Sequence, residues 1–387
     1  MSGRVAIARA ELMEVQKQAR DSLDPGVFDQ ERLLAIKFQK LLDNETKFLK
    51  QRSRIKWCNE GDANTAFFHA CISQKKKKNH ISSLMDAAGN QVSDASGIKS
   101  ILLNYYKELL GSHATSAPLR PSVLAAGPRV PEDDCINLCE PISDMEIRTA
   151  MFSIDSDSSP GPDGFSSKFF KSSWHIVGPH IIQAVRNFFE SGRIPFGVNA
   201  TAITLIPKVP SSSQASEFRP ISCCNVIYKC IDNVLCARLR PVLDKVVGPD
   251  QVNYIKPGRD ITHNILLAQE MVQGYSRRHL SPRCAIKVDL RKAYDSISWD
   301  FLEEILRERG FPLCFCSCIM ACITTTRFSL MVNGELTGFF EGKRGLRQGD
   351  PIAPYLFTLV MEYLSRALRI ASLSSESRFH PTNEALY

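Results

Sequence analysis

The chain has 387 residues, 44% of them hydrophobic and 23% charged, with 21 Gly and 21 Pro. That mixture excludes collagen-like, low-complexity and wholly disordered chains and leaves room for two or three domains. Its net charge of +7 is concentrated: Glu31 to His80 holds 12 Lys or Arg against 5 Asp or Glu, so the rest is balanced.

The opening MSGRVAIARA lacks the apolar core of a signal peptide. The longest nearly apolar stretches, Leu313 to Ile323 and Ile352 to Leu364, are shorter than the roughly 18 to 20 residues of a membrane helix. The expectation is an intracellular chain, nuclear or cytoplasmic, with no membrane span and with its 13 cysteines reduced.

In chain order, Leu33, Leu34, Ile36, Phe38, Leu41, Leu42, Phe48 and Leu49 recur at helical spacing, with Lys37, Lys40, Lys47, Lys50, Arg52, Arg54 and Lys56 filling much of the remainder. This predicts an amphipathic helix with a basic side. A turn follows at Asn59 to Asp62, then Phe67-Phe68, then Lys75, Lys76, Lys77 and Lys78, bordered by Gln74 and Asn79 and read as an exposed loop. A basic segment on a neutral body suits a polyanion, usually nucleic acid, and is equally compatible with a solvated helix face.

Leu110 to Pro131 is rich in Pro, Ala, Ser and Gly and reads as a linker. Beyond it strands and helices alternate: strands at Ala202 to Ile206 and Ala285 to Leu290, helices at Ile181 to Glu190, Trp299 to Arg309 and Pro354 to Ile370. Cys314, Cys318 and Cys322 repeat at i, i+4 and i+8, which favours a small apolar core face over a zinc site.

Chemistry-bearing residues cluster in four blocks. AITLIPK and EFRPISCC each bring one cation, Lys208 and Arg219, to the end of an apolar stretch, where Arg offers a planar fork and Lys a mobile point charge for phosphate. AIKVDLRKAYDSISW delivers Asp289 at a strand end, where one carboxylate can hold Mg²⁺ whose other ligands are substrate phosphates and water. KRGLRQGDPIAPYLF places Gln348 and Gly349 in a tight turn that opens a helix. Taken singly, each block also fits an ordinary surface cation, turn residue or loop.

With SSPGPDGF (Ser158 to Phe165) ahead of them, these blocks resemble, in order, the motifs of non-LTR (LINE-type) retrotransposon reverse transcriptases, particularly those of plants. The resemblance runs from about Arg54 to the end of the chain. It implies an α/β (α+β) fold made of right-hand polymerase fingers (131–281) and a partial palm (282–387), after a mainly helical basic extension with its linker (1–130). It implies RNA-directed DNA polymerase chemistry with two Mg²⁺ ions, an RNA template, a DNA primer and deoxynucleoside triphosphates.

The resemblance makes Asp289 the first metal-binding carboxylate, with the Leu290 carbonyl beside it. Lys208 and Arg219 become triphosphate cations, Gln348 and Gly349 the loop that positions nucleotide and template, and Tyr294 the ring beneath the nucleotide sugar. Asp295 is expected to cap the following helix. Family members carry further carboxylates in an Ala-Asp-Asp turn, and no paired aspartates follow Asp350 here. The expectation is therefore a fragment truncated before that turn and inactive alone. The alternative is a non-catalytic nucleic-acid-binding remnant, with Lys75 to Lys78 as its contacts.

Overall fold

The computed structural model describes residues 2–21, 24–53, 65–114, 116–248, 261–273 and 286–373. It divides into two compact units, residues 1–80 and 81–387. The first contains helices α1 (Ser2–Asp21), α2 (Pro25–Ser53) and α3 (Thr65–Asn79). Among its buried side chains are Ala8, Leu12 and Val15 of α1, Leu49 of α2 and Phe68 of α3.

Lys75 to Lys78 are exposed, as expected, yet they belong to the last turns of α3 rather than to a loop. Lysine is a good helix former, and a cation in the final turn complements the negative end of the helix dipole. The turn read at Asn59 to Asp62 lies outside the described residues.

The second unit opens with a short hairpin, β1 (Leu84–Met85) and β2 (Gln91–Val92), followed by α4 (Ala95–Gly111), α5 (Pro121–Ala125), α6 (Glu132–Cys139), α7 (Asp144–Ser153), α8 (Ser167–Ser172) and α9 (Trp174–Ser191). Next come β3 (Ala200–Pro207), β4 (Phe218–Cys224), α10 (Val226–Val246) and α11 (Ile261–Val272). It continues with α12 (Trp299–Glu308), α13 (Leu313–Thr324), β5 (Arg327–Val332), β6 (Glu335–Glu341) and α14 (Ala353–Ser372).

Local sequence explains several boundaries. Asp94 caps α4 through Gly97 N, and Ser143 and Glu146 form a reciprocal capping box at α7. Asn333-Gly334, both at positive φ, makes the two-residue hairpin between β5 and β6. The sheet order is β4-β3-β5-β6, with β3 and β5 parallel and the other neighbours antiparallel. One face of this sheet, bearing Ile203, Leu205, Phe218, Phe328, Leu330 and Phe340, shares an apolar cluster with Ile98, Leu102, Tyr106 and Leu109 of α4. A larger cluster joins α7, α9, α10, α12, α13 and α14. The fold is thus mixed helix and sheet, as expected.

Several expectations are corrected. Of the strand predicted at Ala285 to Leu290, the described residues 286–290 are not in a strand, with Ile286 81% and Val288 70% exposed. Strand propensity is realised only beside a neighbour, and among the described residues no strand of the sheet pairs there. The Pro-rich segment 110–131 is not a free linker, since Leu119, Val123 and Val130 are buried and Arg120 N donates to Tyr363 Oη at 2.9 Å.

Small apolar side chains spaced by prolines can pack as well as solvate. The unit boundary accordingly falls at His80, ahead of α4. Finally, Cys318 and Cys322 are buried, whereas Cys314 is exposed in the first turn of α13 and disulfide-bonded to Cys139. That bond departs from the expectation of reduced cysteines, and the buried face of the first turn is supplied by Phe315 and Cys316 instead.

Candidate active site

β3 and β4 run antiparallel with Ile206 opposite Arg219 and Pro207 opposite Phe218, so Lys208 and Arg219 emerge at the same end of the ladder. Lys208 is fixed there by its own amide, which donates to Glu217 O, and by its ammonium, which donates to Ser216 O, both at 2.8 Å.

The Lys343 to Asp350 loop is clasped from three sides. Lys343 N donates to Leu110 O at 2.7 Å and Arg344 Nε to Leu109 O at 2.6 Å, so two cationic residues cover the last carbonyls of α4. Gly345 N and Leu346 N donate to Ile297 O and Tyr294 O, each at 2.8 Å. Ser222 N of β4 donates to Gln348 O at 2.8 Å. Gly345 has φ +84° and its Cα packs so closely on Asp295 that an added Cβ would lie 3.0 Å from the Asp295 backbone. A side chain there would be strained and crowded at once.

These anchors enclose a cleft of about 240 Å³. Lys208 and Arg219 line it from the sheet, Gln348 from the loop, Arg291, Lys292 and Asp295 from the segment after Asp289, and Tyr105 and Tyr106 from α4. Four cations therefore face one carboxylate. Asp295 is buried and accepts Gln348 Nε2 at 3.1 Å on Oδ1 and 3.4 Å on Oδ2. Burial pushes its carboxyl above the ordinary range, opposed by the Gln348 bond and by the charges of Lys292, Lys208 and Arg344.

Asp295 does not cap α12. Ser298 does, accepting Phe301 N at 3.4 Å, because it stands immediately before Trp299, whereas Asp295 lies three residues further upstream in the Tyr294–Ser296 turn.

Of the residues read from sequence, Lys208, Arg219 and Gln348 come together in the cleft. Gly349, at φ +107°, sits against Ser222 O beside it. Asp289 and Leu290 are exposed two residues and one residue ahead of Arg291, outside the lining. Tyr294 is stacked on Phe357, centroids 4.7 Å apart and planes at 16°, so the aromatic lining comes from α4 instead. Sequence reading passed over Arg291, Lys292, Tyr105 and Tyr106. The first two stood inside a quoted block, and the tyrosines lie far upstream of every block.

An exposed Asp289 fits a magnesium ligand, since that ion uses one or two carboxylates and takes its remaining oxygens from phosphate and water. Among the described residues no cluster of three or more His, Cys, Asp or Glu is poised to hold a metal without such help.

Residues 206–378 match the family described as reverse transcriptase (RNA-dependent DNA polymerase). The chain is 26% identical over 311 residues to the transposon TX1 uncharacterized 149 kDa protein of Xenopus laevis, covering 80% of this chain and 24% of that protein. It is 25% identical over 295 residues to the Pol polyprotein of the retrotransposable element R2DM of Drosophila melanogaster, covering 76% and 26%. With the R2 Pol polyprotein of Bradysia coprophila it shares 27% identity over 337 residues, covering 81% and 35%. The chain thus spans about a quarter to a third of these relatives.

Proposed function

We propose, from the premise that residues 206–378 are a reverse transcriptase domain of the non-LTR retrotransposon type, that the cleft binds the triphosphate of an incoming deoxynucleotide. The supporting observation is the convergence of Lys208, Arg219, Arg291 and Lys292 on one small cleft whose single carboxylate is already engaged by Gln348. A triphosphate is the substrate such a surplus of cations suits, and charge-assisted contacts to it are among the strongest hydrogen bonds a protein makes.

In this reading Asp289 and the Leu290 carbonyl hold Mg²⁺, with Gln348 and Gly349 bordering nucleotide and template. Members of this family generally use divalent metal ions. When bound, Mg²⁺ would activate the primer hydroxyl and offset charge on the departing pyrophosphate. The side chains of the cleft do the rest: Lys208 and Arg219 orient the phosphates, and Gln348 holds the Asp295 carboxylate by a hydrogen bond. Fingers near 131–281, palm near 282–387, an RNA template and a DNA primer complete the proposal.

The test is an equilibrium titration of the chain with a deoxynucleoside triphosphate. Replacing Lys208 and Arg219 together by Met is expected to weaken binding about 100-fold or more, from roughly 1.5 to 3 kcal/mol per charged hydrogen bond. Added Mg²⁺ should tighten binding to the wild-type chain, and Asp289→Asn should erase that gain. Equal affinity of wild type and the double variant would sink the reading.

A second activity, nucleic-acid binding through α3, is supported by its exposed lysines. Lys75 Nζ donates to Ser53 O at 2.5 Å, which leaves Lys76, Lys77 and Lys78 for phosphate. Changing those three to Ala should reduce the slope of log affinity against log salt by about 2 to 3. An unchanged slope in a filter-binding series would exclude α3 from the interface.

A further inference from the structure

Resting on the triphosphate reading, we propose that Lys292 is a further triphosphate-binding cation and that Tyr105 of α4 is the positioning residue that holds it in the cleft. The backbone at Lys292 is the first sign. Its φ of +53° lies in the left-handed region, which strains a residue with a side chain. Such a conformation persists only where the surroundings over-determine it. Here Ser296 does so twice, its amide and its hydroxyl both donating to Lys292 O, at 3.0 and 2.9 Å.

The result is to send the side chain over the face of Tyr105, with the ammonium 4.8 Å from the ring centroid. That ring is itself braced edge-on by Tyr106, 5.1 Å away at 87°, and the buried Tyr106 hydroxyl donates to Phe218 O, the residue before Arg219. α4 therefore ties the position of Lys292 to the strand that carries Arg219.

The choice of an aromatic partner has a chemical consequence. A carboxylate at this spot would neutralise the lysine and have to be displaced by phosphate. A ring face holds the ammonium weakly by its quadrupole and leaves the charge intact. The one carboxylate lining the cleft, Asp295, accepts Gln348 and feels the charge of Lys292, but among the described residues Lys292 makes no ion pair with it. An ammonium on a four-carbon stem can then swing from ring to phosphate at small cost. Since α4 precedes the matched residues 206–378, an element outside the polymerase core sets the geometry of the cleft.

The experiment is a calorimetric titration of the full chain with magnesium-free sodium tripolyphosphate, which presents the phosphates without base or sugar. Lys292→Met should weaken binding about tenfold, the loss of one charge-assisted contact. Tyr105→Leu should weaken it several-fold, and Tyr105→Phe, which keeps the ring and removes only the hydroxyl, should restore wild-type affinity. That rescue separates positioning by the ring from a general structural defect.

If Tyr105→Leu fails to fold, Tyr105→Phe and Lys292→Met carry the test. Wild-type affinity in Lys292→Met, with Lys208→Met weakened, overturns the inference and leaves the triphosphate reading standing. Weak binding by Tyr105→Phe overturns the role of the ring. Absence of saturable binding by the wild-type chain overturns both.

Discussion

Replacing Arg347 by Met should destabilise the second unit by about 3 to 5 kcal/mol, the magnitude for breaking a buried ion pair by removing one partner. Arg347 lies one residue before Gln348, beneath the cleft, and is buried together with Asp350. Its Nε donates to Asp350 Oδ2 at 2.8 Å, Nη1 to Asn199 Oδ1 at 2.7 Å and Thr201 Oγ1 at 3.1 Å, and Nη2 to Cys322 O at 3.3 Å. Its guanidinium also covers the Tyr228 ring at 4.0 Å. One side chain thus ties β3, α13 and α10 to the loop that presents Gln348. Methionine fills the space but strands Asp350 without its counter-ion.

The network holds a second carboxyl, Asp232, fully buried, whose Oδ2 accepts Ile352 N at 2.9 Å. Tyr228 Oη and Arg347 Nε both donate to Asp350 Oδ2, while among the described residues Asp232 Oδ1 and Asp350 Oδ1 receive no other donor. A proton kept on Asp232 and donated to Asp350 satisfies both oxygens with one hydrogen. Burial, then the charge and hydrogen bond of Asp350, push the Asp232 carboxyl well above the usual range.

The sign of the linkage follows. In the unfolded chain Asp232 loses its proton near its ordinary value, so above about pH 4 the folded state binds more protons. Stability from this group is full below that pH and declines as pH rises toward the folded-state value. Asp232→Asn retains a donor for Asp350 and should flatten that decline in denaturant titrations across pH. An Arg347→Met melt within a degree of wild type, or an unchanged slope in Asp232→Asn, would count against the network.

The site was legible where its chemistry is local to a block. Lys208 and Arg219 follow from two strands that end together, and Gln348 from a turn bracketed by glycines. What stayed hidden depended on packing between distant segments. Tyr105 reads as one residue of an amphipathic helix until α4 is laid against the turn at Lys292. Asp295 is expected as a cap, but the helix begins at Trp299 behind Ser298, and the Asp295 carboxylate meets Gln348 from a segment 53 residues away. Residues 286–290 have the composition of a strand, but pairing is a property of two segments and cannot be read from one. Lysines 75 to 78 were misread for the opposite reason: local charge suggested a loop, while helix propensity and the terminal dipole favoured the last turns of α3.

The helix α12 offered a signal that sequence reading did not use. Leu302, Ile305 and Leu306 form its buried face, and Arg309 falls on that face at the next helical step. In the structure Arg309 is 1% exposed, and among the described residues none of its three guanidinium nitrogens has a hydrogen-bond partner. Burial, reinforced by the like charge of Arg369 and opposed by Glu362, brings its guanidinium down to about 10. It therefore stays charged at any physiological pH, and the desolvation cost is never relieved.

Arg309→Met should stabilise the unit by about 1 to 4 kcal/mol, the range found when buried charges give way to apolar side chains of similar volume. Arg366 provides the control, because it is buried to the same degree but fully engaged. Its Nε donates to Glu362 Oε1 at 2.9 Å, its Nη1 to Ala126 O, and its Nη2 to Pro128 O and Val246 O at 3.0 Å. Arg366→Met should lower the melting temperature as surely as Arg309→Met raises it, since it removes the nearer of two arginines paired with Glu362 and abandons three carbonyls. Two buried arginines in one unit, substituted identically, are thus expected to move stability in opposite directions. A lower melting temperature for Arg309→Met would mean that its guanidinium has a stabilising partner after all.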